Sequence, residues 1–198
     1  KRFWKNKKVL ITGHTGFKGS WLSIMLNMLG ANVYGYSLKP HKKSLFNQAN
    51  CESFLKKNIY ADINNEKYFK KTISSLKPQI LFHLAAQPLV SESFLKPVQT
   101  LQTNIMGTVN ILNSIKKSNS IRSAVIITTD KVYKIKKNNP FYSENNSLGA
   151  SDPYGTSKAC VELLSESYKY SFFNKSNLSI STVRSGNVIG GGDFSKNR

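Results

Sequence analysis

Residues 8–19 read KVLITGHTGFKG, an apolar run that leads into three glycines spaced three residues apart. A helical pattern follows over residues 20–29, with apolar side chains at Trp21, Leu22, Met25, Met28 and Leu29. In such a strand–turn–helix the first glycine permits a tight bend, the second lets a phosphate approach the backbone, and the third lets helix pack on strand. The stretch predicts a dinucleotide-binding turn that opens an amphipathic helix. The alternative is a glycine-rich connection that binds nothing.

The rest of the chain alternates between strand-like and helix-like segments. Strands are predicted over 9–12, 32–37, 58–61, 79–84, 124–128 and 179–183, and helices over 20–29, 65–76, 98–117 and 153–172. The apolar runs 80–82 and 125–127 suit strands that are buried on both faces. The pattern predicts an α/β fold with a doubly wound, Rossmann-like parallel sheet.

Composition limits the classes of function. A chain of 198 residues with a formal net charge of +19 has room for one domain with a sizeable core. The charge comes from dispersed lysines, and the four arginines do not cluster. Non-specific adhesion to nucleic acid at low salt is expected, but not specific recognition of a nucleic acid.

The cysteines and apolar runs bear on location. Cys51 and Cys160 lack any paired spacing, so neither a disulfide framework nor a metal site is predicted. The apolar stretch 9–11 is too short for a signal-peptide core, and no run approaches the roughly 20 apolar residues of a membrane span. We expect a cytoplasmic protein without a membrane partner.

Residues 152–158 read DPYGTSK, the start of a predicted helix with Asp152 as N-cap. Tyr154 and Lys158 then lie four residues apart on one helix face. A tyrosine hydroxyl has a pKa of about 10, so it acts as a base near neutral pH only where positive charge favours the phenolate. Lys158 and the helix N-terminus would supply that charge. The alternative is an ordinary surface tyrosine and lysine.

Together these motifs resemble the extended short-chain dehydrogenase/reductase superfamily. Within its NAD-dependent epimerase/dehydratase family, the chain resembles most the nucleotide-sugar 4,6-dehydratases that act on CDP-glucose. The matching stretches are GHTGFKGSWL at 13–22, FHLAAQPLV at 82–90, TNIMGT at 103–108, TDKVY at 129–133, YGTSK at 154–158 and RSGNVIGGGD at 184–193. Family members continue into a C-terminal lobe that binds most of the sugar nucleotide. We therefore expect residues 1–198 to form the dinucleotide-binding domain alone, truncated before that lobe, and to turn substrate over poorly.

The resemblance implies a hydro-lyase reaction without net redox change. NAD⁺ takes a hydride from C4 of the glucose, water leaves across C5 and C6, and the hydride returns to C6. The expected product is CDP-4-keto-6-deoxyglucose, a precursor in deoxysugar synthesis for lipopolysaccharide O-antigen or related surface polysaccharides.

The implied catalytic residues are Thr129, Asp130, Lys131, Tyr154 and Lys158. Tyr154 would deprotonate the 4-hydroxyl with help from Lys158, Thr129 would bind the same hydroxyl region, and Asp130 would protonate the departing 6-hydroxyl. Lys131 stands where dTDP-glucose dehydratases carry the glutamate that removes the C5 proton, and a lysine can do so only when it is neutral. The alternative for Lys131 is a basic residue that touches solvent or phosphate.

The resemblance also implies a set of binding residues. Those for the cofactor are Gly13, Thr15, Gly16, Phe17, Lys18, Gly19, Asp62, Ile63, Leu84, Ala85, Ala86, Asn104, Thr128, Tyr154 and Lys158, and those for the substrate are Gln87, Arg184 and Asn187. His83 and Asn104 could equally be buried structural side chains. The acidic residue expected about 20 positions beyond the glycines is absent, with Ser37, Lys39, Lys42 and Lys43 there instead. NAD is expected, and NADP stays open.

Other functions remain compatible with the sequence. A different 4,6-dehydratase or a 4-epimerase, acting on a UDP-, GDP- or dTDP-sugar, needs the same Tyr154 and Lys158. A non-catalytic nucleotide- or nucleic-acid-binding module is the alternative from another class, favoured by the net charge. The resemblance further implies a homodimer through the helices at 98–117 and 153–172.

Overall fold

The computed structural model describes residues 2–135 and 141–194. Its six strands form one sheet in which every neighbouring pair is parallel, in the order β3-β2-β1-β4-β5-β6. The strands are β1 (Lys8–Thr12), β2 (Asn32–Ser37), β3 (Lys57–Tyr60), β4 (Ile80–His83), β5 (Ser123–Ile127) and β6 (Ser179–Val183). This topology confirms the predicted doubly wound, Rossmann-like sheet.

Helices connect the strands. Within the described residues they are α1 (Phe17–Met28), α2 (Leu45–Gln48), α3 (Glu66–Leu76), α4 (Val90–Leu95), α5 (Pro97–Leu101), α6 (Gly107–Lys116) and α7 (Pro153–Tyr168). The predicted helix over 98–117 is α5 and α6 joined by a π turn at Gln102–Met106, and a second π turn, Lys169–Phe173, extends α7. A 3₁₀ turn, Asp130–Val132, follows β5.

None of the helices found in residues 2–135 and 141–194 has both the length and the apolar character needed to cross a bilayer.

The core lies on both faces of the sheet because alternate side chains of a strand point to opposite faces. On β1, Leu10 packs into a large cluster with residues of α3, α6 and α7, whereas Val9 and Ile11 pack into a smaller cluster that includes Leu26 of α1. The apolar run of β4 divides in the same way, with Leu81 in the large cluster and Ile80 in the small one.

The predicted amphipathic face of α1 is wrong in most of its residues. Trp21, Met25 and Met28 are exposed, Met28 by 72%, and the helix buries Gly19, Ser20, Ser23 and Leu26 instead. The cause is the close approach of α1 to the turn before it. A Cβ on Gly19 would clash with the carbonyl oxygen of Gly13, so no side chain fits where the start of α1 meets the turn.

Candidate active site

The glycine turn lies between β1 and α1, as the sequence predicts. Gly13 has a φ of +74°, a conformation that side chains rarely adopt, and its N–H donates to the carbonyl oxygen of Tyr36 at 2.9 Å. A Cβ on Gly13 would also come within 2.6 Å of the backbone nitrogen of Ala85. Gly16 is the N-cap of α1 and makes no side-chain cap, so the first amides of the helix face an open turn suited to an anion.

Gly19→Ala tests this close packing. The added Cβ would meet the Gly13 carbonyl oxygen and, at 2.7 Å, the Cα of His14, and backbone atoms cannot turn aside. We expect a loss of stability of about 1–3 kcal/mol and a drop of at least about tenfold in NAD affinity as the turn deforms. Thermal unfolding and NAD titration measure the two effects. Gly191→Ala is the matched control because its Cβ would meet nothing within 4 Å. Equal behaviour of the two variants would contradict the prediction.

A cavity of about 420 Å³ opens at the carboxyl ends of the strands, where ligands bind in sheets of this topology. We call it the cofactor cavity. It is lined by every residue that the sequence assigned to cofactor binding except Asn104. The glycine turn forms one wall, Asp62 and Ile63 after β3 form another, and Tyr154 and Lys158 of α7 close the end beyond β5.

His83 has a structural environment. It is buried at the end of β4, where Nδ1 pairs with the Thr12 hydroxyl at 2.7 Å and Nε2 with the Thr108 hydroxyl at 3.1 Å. Burial, together with the nearby charge of Lys158, lowers the pKa of His83 to about 3, so the ring is neutral at ordinary pH. Of the two alternatives that the sequence left open, the structure supports the buried histidine.

Asn104 and Gln87 do not line the cofactor cavity. Asn104 is buried in the π turn, where its Oδ1 accepts from the backbone N–H of Gln87 at 2.8 Å and its Nδ2 donates to the Ser157 hydroxyl at 2.8 Å. The Gln87 side chain donates to Thr100 and to the Leu89 carbonyl. The Asn104 amide therefore ties the loop after β4 to α7, and the Gln87 amide ties it to α5.

Tyr154 and Lys158 are placed by the first turns of α7. Asp152 caps this helix by accepting from the Gly155 N–H at 2.8 Å, and Pro153 occupies the first turn. Lys158 is buried and donates from Nζ to the Ile127 carbonyl at 3.2 Å. Burial first, and then the positive charge of Lys18, lower the Lys158 pKa to about 8, against the opposing effect of Glu162. Lys158 thus remains mainly a cation at neutral pH.

A second cavity, also of about 420 Å³, lies beyond Tyr154, and we call it the outer cavity. Thr129 and Lys131 line it, as does Asn187, the predicted substrate residue. Asp130 is exposed, and its carboxylate accepts from the Thr129 hydroxyl at 3.2 Å. The predicted catalytic residues therefore lie near one another at the carboxyl ends of the strands, and Tyr154 lines both cavities.

Arg184, which the sequence assigned to the substrate, lies in neither cavity. Its Nη2 pairs with Glu162 at 3.0 Å, and its Nη1 donates to the hydroxyl of Tyr133 at 3.1 Å and to the Glu144 carbonyl at 3.0 Å. The guanidinium is thus bound by the buried carboxylate of α7. The substrate contact of Arg184 stays a prediction.

Glu162 is a residue that the sequence reasoning missed. It is buried and accepts from the hydroxyls of Thr128 and Thr182, besides pairing with Arg184. It joins β5, β6 and α7 directly behind Lys158. The available signal was its position four residues after Lys158, on the helix face that also carries the buried Val161 and Ser165.

In the part of the chain that the structure describes, no three His, Cys, Asp or Glu side chains gather as metal ligands would. Cys51 is buried, Cys160 is half-buried, and both are free thiols.

Comparison with known proteins extends these observations. A family model described as GDP-mannose 4,6 dehydratase matches residues 10–189. The CDP-glucose 4,6-dehydratase of Salmonella typhimurium is 44% identical over an alignment that covers 100% of this chain and 56% of that protein. The chain thus spans little more than half the length of this curated relative.

Solved structures share the fold. Epimerase Mth375 of Methanothermobacter thermautotrophicus matches with a TM-score of 0.81 at 25% identity, covering 96% of this chain and 55% of that one. The UDP-glucuronic acid 4-epimerase of Bacillus cereus, solved with UDP-glucuronic acid and NAD, matches with a TM-score of 0.75 at 29% identity, covering 89% of this chain and 55% of that one.

Proposed function

The chain belongs to the GDP-mannose 4,6 dehydratase family, and from this premise we propose that it is the cofactor-binding part of a nucleotide-sugar 4,6-dehydratase that acts on CDP-glucose. One observation carries the proposal. The side chain of Tyr154 lies where the cofactor cavity meets the outer cavity, so a single phenol can face both a nicotinamide and a sugar.

The cofactor cavity fits NAD. Its glycine turn is a cradle that a Cβ at Gly13 or Gly19 would fill, and the first amides of α1 suit a pyrophosphate. Ser37 at the end of β2 is tied to the Thr15 hydroxyl at 2.9 Å, and the nearby Lys39, Lys42 and Lys43 lie outside the lining of this cavity. The cations that would hold the extra phosphate of NADP are therefore not part of it, which favours NAD. When bound, NAD accepts a hydride and returns it.

The residues around the cavities supply the acid–base chemistry. Tyr154 acts as the phenolate, which the buried ammonium of Lys158 stabilises, and it becomes the neutral phenol when it takes the proton of the sugar 4-hydroxyl. Thr129 orients the same hydroxyl from the wall of the outer cavity. Asp130 donates the proton to the departing 6-hydroxyl, and Lys131 is the candidate base at C5.

Dehydration explains this set of residues better than epimerisation does. A 4-epimerase needs the phenol and the lysine of α7 but has no use for an acid and a base beside C5 and C6. Lys131 lines the outer cavity, and Asp130 precedes it in the same 3₁₀ turn. Their position beside Tyr154 therefore favours the dehydratase over the epimerase.

The test is the product formed from CDP-glucose with NAD. We expect a sugar nucleotide that has lost one water and carries a 4-keto-6-deoxy group, identified by mass spectrometry and by its ultraviolet absorbance in alkali. A form of the protein that spans the full length of its relatives should give robust turnover, and residues 1–198 alone much less, because substrate positioning lowers much of the barrier.

UDP-, GDP- and dTDP-glucose are run beside CDP-glucose to identify the preferred base. A product that has the mass of the substrate and the inverted configuration at C4 would show that the protein is an epimerase and not a dehydratase. Strong salt-dependent nucleic-acid binding without any sugar conversion would favour the non-catalytic module.

We propose two further properties. Exposed apolar side chains on the helices α4 to α7 and the π turns joined to them supply a surface for a second copy of the chain: Phe94, Leu95, Val98, Met106, Leu163, Tyr170 and Phe172. They lie on or beside the two helices expected to form a homodimer. The cytoplasmic location stays a prediction from the cysteine pattern.

A further inference from the structure

A cation other than Lys158 stands at the boundary between the two cavities, whereas Lys158 lines only the cofactor cavity. Within the described residues, the side chains that line both the cofactor cavity and the outer cavity are Lys18, Pro88 and Tyr154. Pro88 is apolar, so Lys18 is the charged group at this boundary. It therefore shares both compartments with the phenol that we assign as the base.

The Lys18 side chain is held in place. Lys18 belongs to the first turn of α1, and its Nζ donates to the Ser185 hydroxyl at 3.1 Å. Ser185 follows β6, and its carbonyl oxygen accepts from the backbone N–H of Asp130 at 3.1 Å. The ammonium thus reaches from the glycine turn to the segment that carries Asp130, and the side chain is half-buried on the way.

The charge of Lys18 acts on this site. It is the largest contribution after burial to the lowered pKa of Lys158, which shows that the two ammonium groups share one electrostatic environment. A cation that disfavours a second cation also favours a nearby anion, and the phenolate of Tyr154 is such an anion.

We propose that Lys18 is a second cation of the base assembly, which acts with Lys158 to stabilise the phenolate of Tyr154 at the cavity boundary. The inference rests on the proposed role of Tyr154. It also gives Lys18 a role beyond the expected contact with the cofactor, because its charge makes the phenolate of Tyr154 easier to form.

The other titratable groups near Tyr154 and Lys158 are accounted for separately. They are His83 on β4, Asp130 and Lys131 after β5, Glu162 on α7 and Asp193 in the wall of the outer cavity. His83 is neutral, and the carboxylate of Glu162 is engaged by Arg184. Lys131 is exposed and lines only the outer cavity, as does Asp193, and the exposed Asp130 lines neither cavity.

The experiment measures the Tyr154 phenol directly and needs no turnover. Tyrosinate absorbance in the ultraviolet is recorded against pH for the chain and for Tyr154→Phe, and the difference isolates Tyr154. The same two proteins, with and without Tyr154→Phe, are then prepared with Lys18→Met added and measured in the same way. Removal of a positive charge should raise the Tyr154 pKa by about half a unit or more, so the phenolate appears at higher pH.

Two variants serve as controls, and a third can replace the test variant. Lys18→Arg keeps the charge and should retain most of the original pKa, whereas Lys117→Met removes an exposed lysine elsewhere and should leave it unchanged. If Lys18→Met does not fold, as judged by thermal unfolding, Lys18→Gln carries the same measurement. An unshifted Tyr154 pKa in a folded variant lacking the Lys18 charge would overturn the inference.

The acid limb of the pH–rate profile is a second readout in the protein that spans the length of its relatives. It should move upward in Lys18→Met and stay in place in Lys18→Arg. A purely structural role for Lys18 would lower the rate at every pH without moving the limb. Dehydration of CDP-glucose with an unmoved limb would refute the role of Lys18 alone, whereas absence of dehydration in the unmodified protein would refute the proposed function.

Discussion

Replacement of Tyr154 by phenylalanine should lower kcat by about 10²–10⁴-fold, because the reaction loses the group that takes the proton from the 4-hydroxyl. The phenol lies at the boundary of the two cavities, and the buried Lys158 cation is positioned to stabilise its anionic form. The ring itself remains, so NAD affinity should change less than about tenfold. Steady-state kinetics with CDP-glucose and an NAD titration separate the two effects.

Tyr68→Phe is the matched control for this variant. Tyr68 is an exposed residue of α3, lies in neither cavity and should keep normal turnover when its hydroxyl is removed. If Tyr154→Phe kept a kcat within tenfold of the unmodified protein, another group would have to be the base.

The second large effect is expected on stability, from Glu162→Ala. The buried carboxylate accepts from Thr128 and Thr182 and pairs with Arg184, so its removal leaves a buried hydroxyl, a half-buried hydroxyl and a guanidinium without their shared partner. We expect a loss of about 3 kcal/mol in the free energy of unfolding. That corresponds to a Tm lower by roughly 6–12 °C for a domain of this size.

Thermal and urea unfolding measure this loss against Glu166→Ala, which removes an exposed carboxylate four residues further along α7 and should change stability by less than about 0.5 kcal/mol. Adding Arg184→Met to Glu162→Ala should recover part of the loss, because the unpaired charge is then gone as well. Equal Tm values for Glu162→Ala and Glu166→Ala would show that the buried network contributes little.

The sheet could be predicted because its signals are local. The central strands β1, β4 and β5 contain short apolar runs, and β2, β6 and the helix α3 have bounds within a residue of their predicted ranges. The face of α1 could not be predicted in this way. Hydrophobic periodicity assumes that a helix packs through its large side chains, whereas α1 packs through Gly19, Ser20 and Ser23 on the glycine turn. The π turn inside the helical run 98–117 also leaves no mark on a period of 3.6 residues.

The site was predictable where residues lie at strand ends or on one helix turn. Tyr154 and Lys158, four residues apart, share a cavity with the glycine turn as expected. The partners of Arg184 were not predictable, since it follows β6 at the expected edge of the sheet but its guanidinium pairs with the carboxylate of Glu162. Which of two polar residues at a strand end faces a cavity depends on such distant partners, and spacing along the chain does not reveal them.

The tight seating of α1 on its turn connects two properties that are usually separate. Ser20 and Ser23 donate to the carbonyls of Gly16 and Gly19 at 2.8 Å, and the start of the helix lies against the backbone of Gly13. A larger side chain at the start of α1 would push the first turn of the helix, with its backbone amides, away from β1. Thermal stability and nucleotide affinity therefore both depend on the close contact between Gly19 and the backbone of Gly13. Directed evolution towards either property would have to keep a residue without a side chain at position 19.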